Sequence, residues 1–293
     1  MLRRTPGGRG PVRLYFFRRL VAECARHLQF LFCCTHYTYF MIGIFDSGSG
    51  GLSVLRAIRA RAPQADIVYF GDLKNAPYGN RTREELGVLT AVGIQKLLDM
   101  GATEIVSGCN SVSVSIVPST LDALRLPRTN LVEMVEPTVS SFRTQSARVL
   151  VCATQATIDS CMYQQGLGTV GATATGVALP TLVTLIESGA ERQELIDSVY
   201  STLTPYVGLG YTHLLLGCTH YPLVHDVFDM VCEELLPGIS IVDPAYAVAR
   251  AVVTQFDVRG QGKTAWVLSQ QSSVFERFAS SLGYTRAALQ LVV

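Results

Sequence analysis

Charged side chains are scarce in this sequence, at 16% of the 293 residues against 48% hydrophobic. That balance excludes a disordered chain and indicates well-buried sheets. None of the eight cysteines forms a CxxC pair, which argues against a zinc ribbon or a thioredoxin-type redox site. Nor do they resemble a secreted disulfide framework, so a reducing cytosol is the expected compartment. No early apolar stretch is long enough to span a bilayer, because Arg18, Arg19, Arg26 and His27 interrupt it beside the patch at 28–32. The net charge of +1 conceals an asymmetry. Residues 1–40 contain seven Arg and one acid, Glu23, whereas the remaining 253 residues carry 17 basic and 22 acidic side chains, a net −5. A body of that sign does not look like a nucleic-acid binder.

Residues 1–40 also lack the small-residue cleavage pattern of a secretory signal. They are expected to form a dispensable extension, with Met41 opening the first strand and standing as a candidate start. Within them, Cys34-Thr-His-Tyr37 repeats Cys218-Thr-His-Tyr221 without the preceding Gly and strand, and is read as coincidence.

What the sequence does contain is a regular alternation of strand and helix signals. A short apolar strand over 42–45 leads through a Gly-rich turn to a helix over 52–62, stopped by Pro63. A strand over 66–70, a polar loop over 71–81, a helix through Leu98 closed by Gly101 and a strand over 104–107 follow. The rhythm restarts after Pro137: a strand over 147–151, a turn into a helix over 154–163, a helix over 192–206 and a strand over 212–216. Pro222 falls in the first turn of the next helix, where its missing N–H costs nothing. A strand over 240–243, a helix over 245–255 and strands over 265–268 and 289–293 complete the chain. Such a pattern predicts an α/β fold with mostly parallel sheets and right-handed crossovers. A duplicated pair of lobes, with the site in the cleft between them, is the economical arrangement.

Two cysteines carry the clearest chemical signal. One reads Glu104-Ile-Val-Ser-Gly-Cys109-Asn-Ser111 and the other His213-Leu-Leu-Leu-Gly-Cys218-Thr-His220. Each thiol is expected where a strand ends and a helix begins, which is where open α/β sheets bind small molecules and where a helix N-terminus lowers a thiol pKa. Burial as an inert thiol is the usual fate of a free Cys. Against that, both are flanked by hydrogen-bonding side chains. His220 reads either as a capping or core histidine or as a positive charge that favours thiolate. A metal held by Cys218 and His220 would want a third and fourth ligand that are not evident. Asp46-Ser-Gly-Ser-Gly-Gly51 reads as a plain βα turn, or as a site for an amino acid. In the second case its N–H groups and Ser47 hold a carboxylate, and Asp46 binds an ammonium or orients a base. It matches no phosphate-binding pattern, and Asp46 would repel phosphate. Glu187 reads by default as an exposed helix residue.

Inverting the α-carbon of an amino acid explains the need for two thiols. The reaction requires a base on one face and an acid on the other, with thiol pKa values lowered and matched. In chain order stand Asp46-Ser-Gly-x-Gly-Gly51, Pro77-Tyr-Gly79, Cys109-Asn-Ser111, Thr154-x-x-Thr157, Leu185-Ile-Glu187-x-Gly189 and Gly217-Cys-Thr-His-Tyr-Pro222. This set resembles glutamate racemase, of the cofactor-independent aspartate/glutamate racemase superfamily, over 41–293. The resemblance implies two α/β lobes, 41–136 and 137–243, with 244–293 returning to the first. It implies Cys109 and Cys218 as the acid/base pair, Cys109 facing the proton of the D-enantiomer, with Asp46 and His220 as helpers. Both helpers, together with Ser47, Tyr78, Gly79, Asn110, Ser111, Thr157, Glu187 and Thr219, are the implied substrate contacts. Ser111 stands where Thr is commoner, and both present a hydroxyl. The implied activity interconverts L- and D-glutamate in a bacterial cytosol, supplying D-glutamate for peptidoglycan. No pyridoxal phosphate, metal or nicotinamide is called for, and no nucleic acid or membrane; a homodimer is left open. The rivals are a racemase of aspartate or another acidic amino acid, and a non-catalytic regulatory protein of the same fold. Cys-Thr-His-Tyr argues against the first, and the presence of both thiols against the second.

Overall fold

The computed structural model describes residues 41–143 and 146–284, and the backbone of 289–291. Residues 1–40, with the expected extension and the Cys34-Thr-His-Tyr37 repeat, lie outside the described residues, as do the last two residues of the strand expected over 289–293. From Met41 onward the described chain belongs to one compact unit.

The first half builds β1 (Ile42–Asp46), α1 (Leu52–Arg61), β2 (Ile67–Gly71), α2 (Arg83–Asp99) and β3 (Glu104–Ser107). The short helices α3 (Asn110–Ser113) and α4 (Pro118–Leu124) follow, then β4 (Leu131–Val132) and α5 (Val135–Ser140). The second half opens with β5 (Arg148–Ala153), α6 (Gln155–Asp159), α7 (Met162–Thr169), β6 (Thr173–Ala178), α8 (Leu182–Ser188) and α9 (Arg192–Leu203). It continues with β7 (His213–Gly217), α10 (His225–Leu235), β8 (Ser240–Val242), α11 (Pro244–Gln255), β9 (Thr264–Leu268), α12 (Ser273–Ser281) and β10 (Leu289–Leu291).

Local chemistry sets several boundaries. Thr82 and Glu85 close a reciprocal capping box at the start of α2, satisfying two otherwise orphaned N–H groups. Asp243 caps α11 with Pro244 in its first turn. The helix expected over 154–163 is in fact two: Cys161 adopts a left-handed conformation at φ 55 that no helix continues through, so α6 stops and α7 restarts. The proline placed in a helix's first turn lies in a 3-10 turn, Tyr221–Val224, that precedes α10.

All strand pairs are parallel. The strand order is β10-β9-β2-β1-β3-β4 in the first sheet and β6-β5-β7-β8 in the second. The second sheet therefore repeats the order β2-β1-β3-β4 of the first, and the two halves are topological copies. The chain passes to the second sheet after β4 through α5, and returns after β8 through α11 to add β9 and β10. In each sheet the chain leaves the founding strand to one side and then pairs on the other, so β1/β3 and β5/β7 are switch points. Ligands of open α/β sheets bind outside the carboxyl ends of strands at such points. Cys109 follows β3 and Cys218 follows β7.

Candidate active site

Both cysteines line one cavity of about 500 Å³. Its walls also contain Ser47, Tyr78, Gly79, Ser111, Glu187 and His220, so eight of the twelve residues singled out from the sequence share it. The other four, Asp46, Asn110, Thr157 and Thr219, are buried and absent from its lining. Asp46, Thr157 and Thr219 act from behind. Asp46 Oδ1 accepts from the Gly48 N–H at 2.6 Å, and its Oδ2 accepts from the Thr219 hydroxyl at 3.3 Å. Thr157 meets Thr154 at 3.1 Å, and Thr154 meets Ser111 at 3.1 Å, forming a hydroxyl chain that reaches the wall.

The Gly-rich turn after β1 explains itself at close range. A Cβ at Gly50 would sit 2.5 Å from Thr219 Oγ1 and 2.6 Å from His220 Nδ1. This turn is thus pressed against the Cys218-Thr-His segment of the other sheet, and only glycine leaves room. Gly79 approaches Thr154 in the same way, with 2.7 Å to its Cβ, while its carbonyl accepts from the Ala156 N–H.

Around Cys218, three polar side chains form a line. His220 Nδ1 lies 3.9 Å from Cys218 Sγ, and His220 Nε2 lies 2.7 Å from Glu187 Oε1. The same carboxylate oxygen accepts from the hydroxyl and the N–H of Ser49. Burial works against a charge on His220, but its hydrogen bonds to Cys218 and Glu187 and their charges outweigh it, and the imidazole is held well above its ordinary value. Burial likewise opposes the Glu187 charge, and its bonds to His220 and Ser49 win, leaving it below the usual carboxylate range. The default expectation of an exposed Glu187 is therefore corrected. Its side chain is 26% exposed and faces the site.

Around Cys109 the environment is different. Its sulfur has Ser47 Oγ at 3.6 Å. Burial first, and then the nearby Asp46 carboxylate, push the thiol up to about 12, against the pull of the Val112 N–H and Ser47. The expectation that a helix N-terminus lowers this thiol fails for a physical reason: α3 is only four residues long, too short for a developed dipole to offset desolvation. Asp46 is itself raised by burial, against the pull of His220 and of the Gly48 and Gly51 N–H groups.

Other lining residues escaped the sequence reading. Leu73 comes from the turn after β2, Pro180 and Thr184 from the region of α8, and Gln270 and Ser272 from the loop that enters α12. Thr154 was noticed only as half of a spaced pair. Among the described residues, no three His, Cys, Asp or Glu side chains cluster as metal ligands, and no helix is long and apolar enough to cross a membrane.

Comparison with known proteins agrees with this geometry. The profile of the Asp/Glu/hydantoin racemase family matches residues 52–252. A glutamate racemase of Aquifex aeolicus is 33% identical over 239 residues, covering 80% of this chain and 91% of the relative. Another, from Herpetosiphon aurantiacus, is 32% identical over 82% of this chain and 97% of its own length. Among solved structures, a glutamate racemase isoform of Bacillus anthracis superposes with a TM-score of 0.75 at 27% identity, covering 87% of this chain and 97% of that one. With two thiols meeting in one cavity from the switch points of duplicated sheets, the chain belongs to the Asp/Glu/hydantoin racemase family.

Proposed function

We propose that this protein is a glutamate racemase, interconverting L- and D-glutamate by proton transfer between Cys109, Cys218 and the substrate α-carbon. The observation that carries the reading is the convergence of two cysteines, from topologically equivalent strands of two sheets, on one cavity. The glutamate racemases that the chain matches over most of its length support the choice of substrate.

In the forward direction, one sulfur as thiolate takes the α-proton and the opposite thiol donates its own to the other face. The S–H bond formed balances the one broken, so the enzyme ends with its proton on the other cysteine. Turnover in the reverse direction resets it. Carboxylate binding is assigned to the hydroxyls of Ser47 and Ser111 and to the backbone near Gly79. Asp46 and Thr219 act through the turn they hold together, and Thr157 through Thr154. Two thiols suffice to move the proton, so the reading calls for no cofactor.

We read the chain as two lobes, 41–136 with 244–293 and 137–243, preceded by a dispensable 1–40. A chain starting at Met41 is then expected to retain activity. The compartment is the cytosol, the product serves peptidoglycan synthesis, and a homodimer is compatible with the mechanism. The reading is tested by solvent-deuterium incorporation at Cα. Each glutamate enantiomer is expected to exchange and invert, whereas failure of both to exchange would refute it.

A further inference from the structure

Tyr163 belongs to no motif that the site has absorbed, yet its hydroxyl ends on Asn110, the residue after Cys109. The side chain is fully buried on α7. Its oxygen lies 2.6 Å from Asn110 Oδ1 and 3.4 Å from the Met134 carbonyl oxygen. A phenol has one proton to give. A separation of 2.6 Å is ordinary for O–H···O and short for N–H···O, so the proton goes to the Asn110 oxygen and the amide is fixed in one orientation. Burial, and then the Glu133 charge, hold the phenol well above its ordinary value, so it donates throughout the working pH range.

The consequence falls on the other end of the amide. Asn110 is 2% exposed, and among the described residues its Nδ2 is buried without a hydrogen-bond partner. Unpaired buried donors are rare in native proteins, and each calls for an explanation. Its chain neighbours on both sides, Cys109 and Ser111, line the cavity. The bond also joins the two halves, since Asn110 begins α3 after β3 of the first sheet and Tyr163 rides on the second helix after β5 of the other.

We propose that Tyr163 is a positioning residue: it holds the Asn110 carboxamide so that its NH2 group serves an acceptor oxygen of the bound substrate, a carboxylate in the chemistry assigned above. The proposal rests on the glutamate racemase reading. Its alternative is a hydroxyl that merely packs the core.

The test is Tyr163→Phe, which removes one oxygen and keeps the ring. If the hydroxyl orients a donor to a substrate carboxylate, KM for both glutamate enantiomers rises about tenfold, while kcat stays within about twofold, the pattern of lost uniform binding. A packing role lowers the melting temperature and the fraction of active enzyme but leaves KM where it was, and that result overturns the proposal. Should Tyr163→Phe fail to fold, Asn110→Asp replaces the donor with an oxygen and keeps an acceptor for the Tyr163 hydroxyl. It is expected to raise KM by at least about tenfold through repulsion of the substrate carboxylate, and wild-type KM in that variant rejects the assignment. The wild-type assay run in parallel separates the two claims. A wild type that racemises glutamate beside an unmoved variant KM rejects the positioning role alone. A wild type inert toward both enantiomers rejects the substrate reading and this role with it.

Discussion

Cys109 and Cys218 end corresponding strands of topologically matching sheets, and their exposures are nearly the same at 6% and 5%. Their surroundings are not. Cys109 has a serine hydroxyl beside it and the Asp46 carboxylate near it, and burial keeps its proton on. Cys218 has His220, whose charge is secured by Glu187, and Glu187 is secured in turn by Ser49 from the opposite sheet. The His220 imidazole stands beside the Cys218 sulfur and the Asp46 carboxylate stands near that of Cys109, so Cys218 is expected to be the more reactive of the two toward an electrophile. Duplication supplied two equivalent places for a sulfur. The side chains that arrived around them gave the two sulfurs different electrostatic surroundings.

The largest expected effect comes from removing either sulfur. Cys109→Ser or Cys218→Ser is expected to lower racemisation by at least about a thousandfold, since a hydroxyl is far less readily ionised than a thiol. Racemisation alone cannot show which thiol serves which enantiomer. Enantiomers have equal free energies, so kcat/KM must remain equal in the two directions in every variant. Elimination from a β-substituted glutamate with a good leaving group escapes that constraint, because it needs only the abstracting base. Under the assignment of Cys109 to the D-enantiomer, Cys109→Ser spares elimination from the L-like analogue and Cys218→Ser spares it from the D-like one. Near-wild-type racemisation in either variant would end the two-thiol account.

His220→Asn sharpens the comparison at the next level. It withdraws the cation from Cys218 and leaves Cys109 untouched, so elimination from the L-like analogue is expected to fall about a hundredfold while the D-like reaction changes little. Equal losses for both analogues would mean that His220 does not distinguish the two sulfurs.

Glu187→Gln acts one bond further out, and a loss of about tenfold is expected. Its signature lies in the pH profile. Glu187 is one of the groups that raise His220, so without it the imidazole loses its proton at lower pH. The alkaline fall of L-like elimination is therefore expected to shift to lower pH. Stability follows the same linkage: a histidine raised in the folded state contributes fully below its unfolded value and loses that contribution as pH climbs through the raised one. The pH dependence of melting between neutral and alkaline pH is thus expected to flatten in Glu187→Gln, and an unchanged profile would detach Glu187 from His220.

Much of this was legible in the sequence because it is local. The strand-Gly-Cys pattern, the turn after Asp46 and the alternation of elements are written in consecutive residues, and both switch-point cysteines follow from them. What escaped depends on distant partners. Ser49 and Glu187 are 138 residues apart, and no local pattern ties them to His220. β6, with the sequence Thr-Ala-Thr-Gly-Val-Ala, is mostly half-buried and lacks the apolar run of a central strand, so it gave no signal. Gln270 and Ser272 reach the cavity only because β9 returns to pair with β2 of the first sheet. The state of Cys109 was misjudged because a helix start is visible in sequence, whereas the desolvation that overrides it is a property of packing.

The asymmetry itself is open to one direct measurement: mapping by mass spectrometry of which thiols a small alkylating reagent modifies in the free enzyme near neutral pH, with exposed Cys161 as an internal reference. Because Cys109 and Cys218 are about equally shielded, a difference in rate reports charge rather than access. The account predicts that Cys218 reacts well ahead of Cys109, that glutamate slows both, and that His220→Asn removes the lead of Cys218. Equal rates at the two cysteines in the wild-type protein, or a faster Cys109, would contradict it.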